Sequence, residues 1–202
     1  MAEKEITWTK VSSVCGILAP MIAFAFILLA IAFCSQFSWT ENALSDLGIV
    51  SGATAVFFNS GLIISGVLII LFGLGLPILF ENRLLGKISA LIFIIDALAL
   101  IAIGVFPESA KPMHYYASVA FFVLLPISML LITATFLLVA RGRIALFTLL
   151  VAMVAVAVWV VQFSVRFVPG VAIPETISAL SGSVWSVVLG FKMLKRASTS
   201  RK

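Results

Sequence analysis

Six apolar runs, each long enough to be a membrane helix and separated by short polar punctuation, constrain this chain more than any other feature. At about 1.5 Å per helical residue, about 20 residues cross a hydrocarbon core about 30 Å thick. The runs fall at about 11–34, 54–80, 86–104, 114–139, 144–165 and 175–194. Of 202 residues, 63% are hydrophobic and 10% charged, which leaves too little polar surface to clothe a soluble core. The alternation that a membrane β-barrel requires is absent. The expected fold is therefore all-α: a single integral membrane domain, 1–202, built as a bundle of six transmembrane helices. The first run is too long for the apolar core of a signal peptide and is read as a retained span. Cys15 and Cys34 lie near its opposite ends, too far apart to pair.

The basic residues assign an orientation. Lys4, Lys10, Arg83, Lys87, Arg141, Arg143, Lys192, Lys195, Arg196, Arg201 and Lys202 fall on one side of the spans, and only Lys111 and Arg166 on the other. Eleven against two predicts both termini in the cytoplasm of a multi-pass protein of the cell membrane. The net charge of +5 thus sets topology, and no nucleic-acid partner is expected. The tail 195–202, "KRASTSRK", reads as a basic, disordered cytoplasmic segment that would favour an anionic leaflet. Echoes such as "FPES" and "IPET" are too short to indicate an inverted repeat.

On this topology Glu41, Asp46, Glu108 and Glu175 all fall on the outer side, together with the only histidine, His114. Asp96 lies inside the third span, in "LIFIIDALALIAIG". Eight residues from Gly104 place it roughly 12 Å deep, where an aspartate costs roughly 2.5–3.5 kcal/mol to insert. Such a group is a functional candidate by default, the alternative being a hydrogen-bonded residue that joins helices. Gln162 and Arg166 share a helical face and are candidate partners for it. Asn59, Gly66 and Gly73 recur every seven residues and predict a seam for close helix approach. Such small-residue faces would also serve a homo-oligomer. His114 and Ser118 are four apart and share a face; the plainer reading of a lone interfacial histidine is a hydrogen-bonded helix end.

The stretch "FSWTENALSDLGIV", 37–50, contains no Lys or Arg, as an extracytoplasmic connector should. Ser38 and Glu41 fit a capping box, which predicts a short interfacial helix from Trp39 to about Leu47, apolar face down. Glu41, Asn42, Ser45 and Asp46 would then either form a polar lid or cap a surface helix.

"NALSDLG", then "FFNSGLI", then "GVFPE", then His114 with "ASVAFF", resembles a family of prokaryotic, notably archaeal, six-span membrane proteins catalogued as domain of unknown function 998. The same order is more distantly similar to the Frag1/DRAM/Sfk1 membrane proteins. The resemblance implies a shared outer-face cluster at Asn42, Ser45, Asp46, Gly48, Asn59, Pro107, Glu108 and His114, and no particular chemistry.

Three functions are weighed. The first is a non-enzymatic protein with an outward-facing polar pocket that binds or moves a lipid headgroup, a small solute or a cation, with membrane lipids as partners. Its candidate ligands are Asp96, His114, Asp46, Glu41, Asn42, Ser45, Asn59, Glu108, Gln162, Arg166 and Glu175. The second is a lipid-modifying enzyme with His114 and the carboxylates as acid and base. One histidine cannot build a multi-His zinc site, and H-E-x-x-H and G-x-S-x-G are absent. The third is a structural partner whose polar residues only pack. No cofactor is expected beyond a divalent cation that carboxylates alone would hold.

Overall fold

The computed structural model describes residues 3–81 and 83–199. It contains α1 (Glu3–Ala32), α2 (Ala53–Gly75), α3 (Leu84–Val105), α4 (Met113–Leu138), α5 (Gly142–Val165) and α6 (Ala172–Thr199). Two 3₁₀ turns, Leu44–Ile49 and Leu76–Phe80, complete it, and no strand occurs among the described residues. The six helices are long and apolar enough to cross a membrane, which makes this a multi-pass membrane protein. Helix is the form that satisfies every backbone group where water is absent. The hydroxyls follow suit by bonding back one turn: Thr148 Oγ1 donates to Ile144 O at 2.8 Å and Thr133 Oγ1 to Met129 O at 2.9 Å.

The helices stand in a ring in chain order, each against its predecessor, and α6 closes the ring on α1. Both described chain ends therefore lie at one end of the bundle, the terminal end; the loops 33–52, 106–112 and 166–171 share the other, distal end. Glycines set the closest approaches. A Cβ at Gly66 would meet Ile101 Cγ1 at 2.5 Å, one at Gly73 would meet Ile94 Cγ1 at 2.8 Å, and one at Gly104 would meet Asn59 O at 2.6 Å. The seven-residue seam of α2 thus packs on α3. Gly190 does the same for ring closure, its missing Cβ lying 2.8 Å from Ser13 O of α1.

At the terminal end Arg141 and Glu81, from two different connectors, approach to 3.7 Å, and Arg196 donates to Ile78 O at 2.9 Å. The interior on that side is solid. Phe72, Phe93 and Trp185 meet edge to face, with centroids 5.2–6.1 Å apart, and the buried Trp185 N–H donates to Thr148 Oγ1 at 3.1 Å. Both cysteines are free.

Two expectations are corrected. The tail is helical through Thr199, as one continuous extension of α6, rather than disordered from 195; Arg201 and Lys202 lie outside the described residues. The connector after α1 forms no surface helix over 39–47. Its turn is 3₁₀ and begins later, because Asp46 rather than Glu41 supplies the capping carboxylate: Asp46 Oδ2 accepts the Ala43 N–H and the Asn42 amide, both at 2.9 Å. Leu44 and Leu47 point into the bundle and are buried.

Gly104→Ala is expected to destabilise the bundle by about 1–3 kcal/mol, because the obstructing Asn59 O is backbone and cannot rotate away. Gly142→Ala, with open space around its Cβ, should be near neutral. Thermal unfolding of both variants in the same detergent checks the contrast.

Candidate functional site

Packing changes character halfway along the ring. In the distal half, Ala19, Ala23, Ala179, Gly182, Ser183 and Ser186 stand where large side chains would be needed to fill the centre. They leave a cavity of about 100 Å³, lined by every helix except α5. From Glu175 to Ser186 along α6 it extends roughly 16 Å. Phe93 lines its inner end, and the aromatic group around Trp185 lies directly beneath. Leu44 and Ser45 of the first 3₁₀ turn line its distal end as a roof.

The roof is pinned at four places. Glu175, in the first turn of α6, accepts the Leu44 N–H on Oε2 at 2.6 Å. Asn42 Oδ1 accepts the Ser38 N–H at 2.9 Å, and the Asn42 backbone O accepts the N–H groups of Val171 and Ala172 at 3.0 and 2.8 Å. Asn59 Nδ2 donates to Gly48 O at 3.0 Å. Gly170 donates to Thr40 O at 2.7 Å, and a Cβ there would sit 2.5 Å from Asn42 O, so this crossing of two loops requires glycine.

Asp96 and Glu175 line this one cavity, about 9 Å apart along the bundle axis by helical rise. Asp96 is 2% exposed and has no hydrogen bond or ion pair among the described residues; its Oδ1 is shut off from solvent. The hydroxyls nearby are already engaged: Ser183 donates to Ala179 O and Ser186 to Ser183 O. A second acid pair lies at the rim, where Glu108 is hydrogen-bonded to Asp46 and close enough for the charges of Lys111 and His114 to act on it. That bond to Asp46, then burial, then repulsion by the Asp46 charge hold the Glu108 carboxyl above its ordinary range. The charges of Asp46 and Glu108 also reach Glu175.

His114 is 6% exposed, and its Nδ1 stands 2.7 Å from Phe106 O. A carbonyl only accepts, so Nδ1 carries the proton and Nε2 is left to accept from Ser118 Oγ at 3.3 Å. The ring ties the α3 end to the α4 start, and Ser118, bonded to it, lines the cavity.

Other sequence candidates are placed away from the cavity. Arg166 caps α5 in the left-handed region, φ 46°, exposed and turned from Asp96, with no partner among the described residues. Gln162 faces inward but spends its amide on Val168 O and Gly170 O at 2.9 and 3.0 Å, bracing the α5–α6 loop. Glu41 is exposed. Asn59 and Asn42 hold the roof as described.

A second hollow, of about 680 Å³, runs down the outside of the ring between α4 and α5. It meets the cavity at Ser118, Phe122 and Glu175, which line both. Trp159 lines it too, packed on Phe122 and Phe163 with centroids 4.8 and 5.6 Å away. The sequence reading passed over Trp159; its signal was that it is the one indole N–H of α5. Among the described residues no three His, Cys, Asp or Glu side chains converge as metal ligands would.

A family model described as "Protein of unknown function (DUF998)" matches residues 17–192, and the chain belongs to that family. No curated protein and no solved structure matches it.

An acid whose folded-state pKa lies above its unfolded value contributes stability below the unfolded value and loses it as pH rises through the folded one. Stability is therefore expected to fall as pH climbs from about 4.5, the ordinary value for Glu108, through its raised value. Glu108→Gln keeps the hydrogen bond and should flatten that decline, as read from Tm against pH.

Proposed function

We propose that this member of the DUF998 family is a non-enzymatic membrane protein that binds a small organic ammonium group in the central cavity, from the extracytoplasmic side. The observation that carries the reading is Asp96: a carboxylate at mid-helix, 2% exposed, without a partner among the described residues, lining a cavity. A buried carboxylate left alone is strongly unfavourable unless a proton or a cation joins it. Glu175 above it, with Ser45 and Ser118, supplies further acceptors for N–H donors.

The eleven-to-two distribution of Lys and Arg supports placing the distal end outside the cytoplasm, so the cavity faces outward. The aromatic group beneath makes the cavity blind, which favours binding over conduction. His114 supports the non-enzymatic reading, since both of its ring nitrogens are engaged in bonds that join α3 to α4.

The test is equilibrium binding of labelled methylammonium to the full chain in detergent. Asp96→Asn, which keeps shape and removes the charge, should weaken binding by about tenfold or more, the ratio that one charge-assisted contact supplies. Undiminished binding by an Asp96→Asn protein of wild-type Tm would sink the reading.

A further inference from the structure

The hollow between α4 and α5 has a polarity that runs in one direction. Tyr115, Ser118, Ser164 and Glu175 line its distal rim. Further down it is bounded by Val123, Pro126, Ile127, Ala155 and Val156, with no polar side chain among them. It lies on the membrane-facing flank of two spans. Ordinary acyl chains fill any such surface, and by themselves they need no polar rim.

Trp159 stands between the two zones. Six residues from the end of α5, it lies about 9 Å below the distal end, while Ser118 on α4 lies about 8 Å below it. Phe122 and Phe163 clasp the Trp159 indole ring, which forms part of the groove wall.

We infer that this groove holds one membrane lipid with an amine headgroup: its chain lies along α4 and α5, and its ammonium meets Glu175, which lines the rim of the groove as well as the cavity. The order headgroup, chain repeats the order of the lining from rim to base. The ammonium meets the acid-rich mouth of the cavity, where the charges of Asp46 and Glu108 reach Glu175. This deepens the reading given above, on which it rests for the ammonium; the groove itself supplies the chain site and the sideways path from the bilayer.

The experiment is native mass spectrometry of the full chain released from nanodiscs containing equal parts phosphatidylethanolamine and phosphatidylglycerol with identical chains. The wild type is expected to retain one phosphatidylethanolamine, with about a tenfold preference. Glu175→Gln keeps an acceptor for the Leu44 N–H, removes the charge, and should abolish the preference for phosphatidylethanolamine. Val160→Trp, at an exposed groove position, should block retention while leaving methylammonium binding unchanged. Equal retention of the two lipids would overturn the headgroup assignment. Full retention by Val160→Trp would overturn the groove assignment, with methylammonium binding still deciding the cavity separately. A lipid-free dimer abolished by Val160→Trp would assign the groove to a second copy and overturn the proposal as well.

Discussion

A ring of six helices has a centre, and filling it is the constraint on which the rest of this structure depends. Cylinders at helix–helix packing distances of roughly 8–10 Å would leave room in a regular ring for about one more helix. The chain meets this in two ways along its length. Toward the terminal end the ring is drawn in and the remaining space is taken by Phe72, Phe93, Trp185, Met129 and Leu189. Toward the distal end Ala19, Ala23, Ala179, Gly182, Ser183 and Ser186 leave the centre open, with Phe24 and Ile27 of α1 among the larger side chains around it. Apolar packing matches interior density only where large and small side chains interdigitate; the α6 face lacks the large apolar partners there.

The acids then follow from where the open half lies. Each lies at the cavity, on its rim, or in the loops that cross it, apart from Glu41 on the surface and those at the terminal end. Glu175 does double service, holding the roof through Leu44 while its side chain lines both hollows. Asp96 has no such structural duty. Among the described residues no backbone group or side chain bonds to it, so its presence in an apolar helix has no packing explanation.

The spans, the glycine seam of α2 and the acid buried at Asp96 were legible in the sequence because each is local: a run length, a spacing, one residue type out of place; that Asp96 stands apart from Gln162 and Arg166 was not. The roof was not legible. Ser38 and Glu41 offered a capping box, but Asp46 bonds Ala43 instead, and the chain turns inward at Leu44 because Glu175, 131 residues away, takes its N–H. Gln162 and Arg166 looked alike on a helical wheel, yet one lies before the end of α5 and braces the loop while the other terminates the helix and faces out. The groove was invisible because it is defined by a gap between two helices, and sequence patterns report what a helix turns inward, not where neighbours stand apart.

The bond from Leu44 to Glu175 has a bearing on how such a protein is made. The roof belongs to the connector after the first helix, but its anchor opens the last one. During synthesis five spans can enter the bilayer while Leu44 still lacks its anchor, with Gly48 held by Asn59 and Asp46 by Glu108, and only the arrival of α6 both completes the ring and shuts the mouth. The order of insertion therefore makes the cavity the final feature of the molecule to exist, and whatever fills it has free passage until the last helix is home.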